Sequence, residues 1–184
     1  FFIIISFLSF FNIIYSYYFN LYLNIDTYIF TLFISLIIGA ILLFKKKIDK
    51  KITIYEKIII VIIGYILLPI IISIPYYLSI YNISLMDCYF EAISGFTSTG
   101  FTIIENIEHL DASLILWRST SQWIGGIYFL FSIVLLIDIF DNSLKKSLTN
   151  FISFNTSEVF KQSFKILILY IILTLVLFIV LNLI

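Results

Sequence analysis

This sequence contains few charged residues and almost no cysteine. Only 12% of its 184 residues are charged, and the formal net charge is zero. Because there is no basic excess, we expect no nucleic-acid partner. The one cysteine, Cys88, excludes an internal disulfide and a thiolate metal cage. We interpret it as a small buried apolar residue.

Sequence patterns that mark enzymes are also missing. The sequence has no Gly-rich phosphate loop, no cluster of histidine with carboxylates and no nucleophile beside a base. Its one histidine, His109, has no neighbouring ligand residues, which is typical of a surface position. We therefore expect no enzymatic activity and no cofactor.

Apolar residues dominate instead. They make up 62% of the chain, and the mean hydropathy of +1.14 lies far above that of soluble domains. Five apolar stretches are long enough for a membrane helix, which needs roughly 20 residues. They cover about residues 1–19, 26–44, 57–81, 114–138 and 163–184. The sequence predicts an all-α integral membrane protein, embedded in a lipid bilayer.

The basic residues orient these spans. Positive charge in short loops marks the cytoplasmic side, so the run from Lys45 to Lys51 is expected inside. All other lysines then also lie inside, provided that residues 82–111 enter and leave on the outer face. If residues 87–98 crossed the membrane, four later lysines would lie outside. The charge pattern therefore favours a re-entrant segment.

That segment, Phe90–Phe101, is too polar and too short to span a bilayer. Irregular backbone is tolerated at membrane depth only inside protein or along a water-filled cavity, which predicts a pore loop. Ser84 and Asp87 resemble a capping box that starts a short helix from about Leu85 to Gly95. Its unsatisfied C-terminal carbonyls are expected to favour a cation.

A hydroxyl-rich stretch, Thr97–Thr102, follows this helix. Its carbonyl and hydroxyl oxygens would replace the hydration shell of a weakly hydrated ion such as potassium. Gly100 gives the freedom to adopt positive φ. A cluster of Thr, Ser and Gly is also a common turn, and that alternative stays open here.

Two charged residues near the loop are candidates for an electrostatic role. Arg118 lies in an apolar helix, where an unpaired charge is costly. It either forms an ion pair with Glu91 or Glu105, or tunes the electric field near the ion-coordinating stretch Thr97–Thr102. Glu91 is expected to pair with a cation or with a backbone amide. Glu105, Glu108 and Asp111 form either a cation-attracting outer cluster or an ordinary solvated loop.

Two prolines, Pro69 and Pro75, fall in the third apolar stretch. Proline removes a backbone donor and kinks a helix, so we expect a bend near the outer end. A static bend and a gating hinge are both compatible with the sequence.

Three blocks carry a resemblance to a known family. They are Ile74–Ser79, which reads IPYYLS; Phe90–Gly100, which reads FEAISGFTSTG; and Leu116–Gly126, which reads LWRSTSQWIGG. In this order the chain resembles the Trk/Ktr/HKT superfamily of potassium transporters, TrkH type. It departs from the family pattern at Tyr128, where glycine is expected, which casts doubt on how closely that helix packs.

The resemblance implies a helix, pore-loop, helix architecture of the potassium-channel-like type (M1-P-M2). Residues 1–44 would form two extra helices, residues 57–140 the first pore repeat, and residues 163–184 the first helix of an incomplete second repeat. It also implies a potassium selectivity filter, in which Gly100 favours potassium over sodium. The filter residues are Thr97, Ser98, Thr99, Gly100 and Phe101.

The implied function is potassium uptake across the plasma membrane, the inner membrane of a bacterium, by a transporter of which this chain is an N-terminal part. The implied partners are the remaining pore repeats, a second copy in a homodimer, and a cytoplasmic nucleotide-binding regulatory subunit of the TrkA type that faces Asn142–Lys165. The alternatives are a non-transporting membrane remnant or scaffold, and a single-repeat homotetrameric cation channel.

Overall fold

The computed structural model describes residues 1–44, 53–104, 107–136 and 156–183. Within these residues it contains helices and no strand, so the all-α prediction is confirmed. The lysine run at 45–51 and Glu105 lie outside the described residues. The helices are α1 (Phe2–Tyr18), α2 (Ile25–Phe44), α3 (Ile54–Ile72), α4 (Ile74–Tyr77), α5 (Leu85–Phe96), α6 (Ala112–Leu136) and α7 (Thr156–Leu183), with a short 3₁₀ turn at Ile107–His109.

Among the described residues, four segments are long and apolar enough to cross a membrane. They are Ile25–Phe44, Ile54–Tyr77, Ala112–Leu136 and Phe164–Leu183. The fifth predicted span corresponds to α1, which has only 17 residues and ends before the polar turn at Asn20. That length stands at the lower limit of about 17 residues for a spanning helix.

The chain divides into two compact units. The first comprises Phe1–Lys47 and Ile62–Gly126, and the second comprises Ile48–Val61 and Ile127–Ile184. In the first unit, α1 and α2 pack along small and polar side chains, among them Ser9 and Thr31, which are fully buried. A Cβ placed on Gly39 would lie 2.8 Å from Ile3 Cγ1, which shows how closely the two helices approach.

The predicted bend lies between α3 and α4. Helix α3 contains Pro69 and ends at Ile72. After Ser73 a short helix, α4, begins at Ile74 and has Pro75 in its first turn. The indole Nε1 of Trp117, from α6, donates to the carbonyl oxygen of Ile72 at 3.0 Å. This hydrogen bond satisfies a carbonyl at the break, so it supports a braced, static bend rather than a hinge.

In the second unit, the departure at Tyr128 is accommodated without loss of packing. Its ring is 3% exposed, and its hydroxyl donates to the carbonyl oxygen of Val61 at 3.0 Å. The side chain therefore fills the space between these parts of α3 and α6. By contrast, the span of α7 from Phe164 to Leu183 buries none of its residues against the described chain.

Candidate functional site

The site begins with a capped helix that is too short to cross a bilayer. The Ser84 hydroxyl accepts from the Asp87 N–H at 3.3 Å and donates to the Asp87 carboxylate at 2.7 Å. The predicted capping is therefore confirmed. Helix α5 has 12 residues, or about 18 Å at ~1.5 Å per residue, against roughly 30 Å of hydrocarbon.

After α5 the chain turns back along its own helix. Ser98, with φ of 56°, reverses the direction. The hydroxyl of Ser94 then donates to the carbonyl oxygen of Phe101 at 2.7 Å, and the N–H of Ile103 donates to Glu91 Oε1 at 2.8 Å. We call residues 99–104 the return limb. The segment is thus a re-entrant hairpin in shape and not a straight rod.

The end of α5 differs from the prediction in one respect. Its last carbonyls were expected to be unsatisfied, but those of Ile93, Ser94 and Gly95 accept backbone N–H groups from the following turn at 2.8 to 3.1 Å. The tight turn at Ser98 brings these donors into reach. The helix end retains its partial negative charge, but these three oxygens are occupied by the chain itself.

The five predicted filter residues, Thr97–Phe101, are all exposed on this chain. Gly100 has φ of 79°, as predicted, and a Cβ built there would meet nothing within 4 Å. The hydroxyl of Thr97 donates to the Ile93 carbonyl at 2.7 Å, and that of Thr99 lies 3.1 Å from the Ser94 carbonyl oxygen. The two threonine hydroxyls therefore stabilise the turn by hydrogen bonds to the end of α5.

The oxygens left over are backbone carbonyls. Those of Thr97, Ser98 and Thr99 accept no hydrogen bond from the described part of the chain. Carbonyl oxygens of this kind, on consecutive exposed residues, are the groups that coordinate a partly dehydrated cation. A single such strand covers only one side of an ion.

The two electrostatic candidates lie together behind the return limb. Glu91 is fully buried; its Oε1 accepts the Ile103 N–H and the hydroxyl of Thr102, and its Oε2 lies 3.6 Å from Arg118 Nε. The Arg118 side chain is only 12% exposed, so it pairs with Glu91 instead of reaching solvent. Its Nη2 lies 3.4 Å from the Gly100 carbonyl oxygen and 3.5 Å from that of Phe101.

Helix α6 approaches the end of α5 very closely. A Cβ on Gly125 would overlap the carbonyl oxygen of Phe96 and lie 2.6 Å from its carbonyl carbon. A Cβ on Gly95 would overlap the hydroxyl of Ser121. Gly125 therefore permits a very close approach of α6, and these contacts fix the end of α5.

The sequence did not reveal the roles of three residues that shape the site. Ser94, Thr102 and Ile103 supply the donors that hold the return limb against α5. A serine in the last turn of a short helix, followed by threonines, was the available clue for Ser94. The Ile103 contribution comes from its backbone, which leaves no mark in the sequence.

Asp111 and Cys88, which lie near this site in the sequence, are both held by packing or hydrogen bonds within the chain. Asp111 accepts from Ser113 Oγ at 2.7 Å and from Asn24 Nδ2 at 3.2 Å, so it does not act as a free surface carboxylate. Cys88 is fully buried, as predicted.

Comparison with known proteins gives several partial relatives. An uncharacterized cation transporter of Methanocaldococcus jannaschii is 49% identical over 55 residues, covering 30% of this chain and 12% of that protein. The Trk system potassium uptake protein TrkI of Halomonas elongata is 46% identical over 55 residues, covering 30% and 11%. The TrkG protein of Escherichia coli is 34% identical over 70 residues, covering 38% and 14%.

These matched stretches therefore span only a small part of each relative. No solved structure matches the chain. The family described as TrkH, cation transport protein, matches residues 25–184, most of the sequence. Together with the apolar helices, this match shows that the chain is a multi-pass plasma-membrane protein and belongs to the TrkH family of cation transport proteins.

Proposed function

We propose that this chain contributes one selectivity-filter strand, residues Thr97–Phe101, to a pathway for potassium uptake. The single observation that supports this most directly is the re-entrant hairpin. It leaves three consecutive carbonyl oxygens without a donor from the described part of the chain, beside a glycine at φ of 79°. Such oxygens replace water around a weakly hydrated cation at little cost when they are held in place. Potassium is the transported ion in this proposal and not a resident cofactor.

The rigid mounting of the strand supports the same role. Glu91 holds the return limb from behind through the Ile103 amide, and Arg118 compensates the buried carboxylate. A carbonyl strand that discriminates between ions must keep its oxygens at a set spacing, and the hydrogen bonds that Glu91 Oε1 accepts from the return limb help to provide it. Glu91 and Arg118 are positioning residues in this proposal.

The other strands and partners rest on the family resemblance. Three further strands would come from the remaining pore repeats, so that four strands surround one ion. A homodimer and a regulatory subunit of the TrkA type, which faces Asn142–Lys165, complete the proposed assembly. Most of that segment lies outside the described residues.

Uptake in a potassium-transport-deficient cell tests the proposal. The full reading frame that contains this chain is expressed, and Gly100→Ser is compared with Gly100→Ala. Both substitutions remove the freedom at positive φ, and neither Cβ meets a neighbour in this chain. Only serine adds a hydroxyl oxygen beside the ion path.

We expect both variants to take up potassium more slowly, and Gly100→Ser in addition to admit more sodium relative to potassium. Tyr22→Phe is the control and should behave as the parent, because Tyr22 is exposed and lies far from Gly100 in the sequence. Unchanged uptake and ion preference in both Gly100 variants would reject the filter assignment. Absence of any potassium-dependent growth with the parent protein would favour a non-transporting scaffold.

A further inference from the structure

We infer that the α1–α2 hairpin positions the filter, through a buried hydrogen-bonded cluster centred on Asp111. This inference rests on the proposed function, because it assigns the hairpin a part in the same filter. We call the group the Asp111 cluster. Its members are Asn12, Asn24, Tyr28, Tyr81, Asp111 and Ser113.

The hairpin contributes three side chains to the cluster, and all three are fully buried. Asn12 Nδ2 donates to the backbone carbonyl of Ser113 at 3.1 Å. The Tyr28 hydroxyl lies 3.0 Å from Ser113 Oγ, and Asn24 Nδ2 donates to Asp111 Oδ2 at 3.2 Å. Three polar groups, from α1, α2 and the turn between them, thus converge on the start of α6.

The cluster also binds the loop that precedes α5, the helix that leads to the filter. Asn24 Oδ1 accepts the N–H of Ile80 at 3.3 Å, and the Tyr81 hydroxyl accepts the N–H of Asp111 at 2.7 Å. Asn24 therefore uses both ends of its amide, one toward α6 and one toward the loop before Ser84. A single hairpin residue joins the two segments that flank the filter.

Helix α6 links the cluster to the filter. The Asp111 carbonyl accepts the N–H groups of Leu114 and Ile115 at 2.8 and 3.1 Å, so Asp111 is where the helix starts. Arg118 follows seven residues later, about 10 Å along the axis. A shift of α6 along its axis would move Arg118 away from Glu91 and from the Gly100 carbonyl. The cluster fixes that axial position.

Donor and acceptor directions make this role testable. In Asn24→Asp, two carboxylates face each other at the present 3.2 Å separation, and the donor to Asp111 is lost. Adding Asp111→Asn reverses the pair: the new amide donates to the new carboxylate, which still accepts the Ile80 N–H. Asn24 and Ser113 both bind Asp111 Oδ2, so Ser113 Oγ then accepts the second hydrogen of the new amide and donates its own hydrogen to the Tyr28 hydroxyl. The double variant restores every hydrogen bond of Asn24 and Asp111 with the roles exchanged.

Potassium uptake by the full-length protein is measured for both variants, with potassium and sodium in competition. We expect Asn24→Asp to raise the KM for potassium about tenfold, equivalent to about 1.4 kcal/mol, and to lower the preference over sodium. Asn24→Asp/Asp111→Asn should return both to within about twofold of the parent. Asn20→Asp is the matched control, since it adds the same charge to the same turn at an exposed site outside the cluster.

A parent-like Asn24→Asp, or a double variant as impaired as the single one, would overturn the inference. If Asn24→Asp fails to insert, Tyr81→Phe replaces it, because it removes one acceptor only. An about threefold rise in KM is then expected, and an unchanged KM overturns the inference. Parent-like Gly100 variants would instead reject the filter itself, so the two failures are distinguishable.

Discussion

The carboxylate of Glu91 accepts the backbone N–H of Ile103 at 2.8 Å, across twelve residues of sequence. This bond joins α5 to the return limb, and it places a buried negative charge directly behind that limb. Arg118 Nε, 3.6 Å from the second carboxylate oxygen, compensates that charge. The stability of the hairpin therefore depends on an ion pair that is almost entirely removed from water.

Glu91→Gln tests this dependence. The amide oxygen still accepts the Ile103 N–H, but the buried Arg118 loses its counter-charge. Removal of one partner of a buried pair costs about 3 kcal/mol, so we expect a clear fall in the melting temperature in detergent and a weaker preference for potassium. Glu91→Gln/Arg118→Met should recover part of the melting temperature. A Glu91→Gln variant that melts like the parent would show that the pair contributes little.

Ser98 offers a test of the turn itself. Its φ of 56° lies in the left-handed region, which is costly for side chains branched at Cβ. Ser98→Gly should be neutral or slightly stabilising, whereas Ser98→Val should destabilise by about 1–2 kcal/mol. Melting temperatures in detergent compare the two. Equal behaviour of the glycine and valine variants would mean that the turn relaxes to another conformation.

Much of this architecture could be predicted from residue patterns. The apolar stretches indicated the helices, the Ser84–Asp87 pair indicated the helix start, and Gly100 indicated positive φ. Each of these features depends on local chemistry, which a sequence records directly. The proline pair likewise indicated the bend between α3 and α4.

Long-range partners could not be predicted in the same way. The sequence left Arg118 with two possible partners, and only the fold brings it to Glu91. Asp111 was interpreted as a surface acid because Asn24, its partner, lies 87 positions earlier. The prediction of unsatisfied carbonyls at the end of α5 was wrong for Ile93, Ser94 and Gly95. Ser98, although not a glycine, adopts positive φ, and the turn that it forms brings backbone N–H groups to these carbonyls.

Cys88 should resist alkylation. Its side chain is fully buried, so a reagent cannot reach the sulfur in the folded protein. We expect no modification of Cys88 by a maleimide at neutral pH in the folded protein, and complete modification after denaturation, as measured by peptide mass mapping. A cysteine introduced as Ser98→Cys, at an exposed position, should react rapidly under the same conditions. Rapid labelling of native Cys88 would contradict the packing of α5.

Two glycine-to-alanine substitutions should differ because of what their new methyl groups meet. At Gly125 the added carbon would overlap the backbone carbonyl of Phe96, which cannot move without displacing the end of α5. At Gly39 it would lie 2.8 Å from Ile3 Cγ1, on a side chain that can rotate. We expect Gly125→Ala to cost about 1–3 kcal/mol through overpacking and to impair uptake, while Gly39→Ala costs less and leaves uptake intact. The comparison requires melting temperatures and transport rates for both variants. A Gly125→Ala variant as stable and as active as Gly39→Ala would mean that α6 does not hold the end of α5.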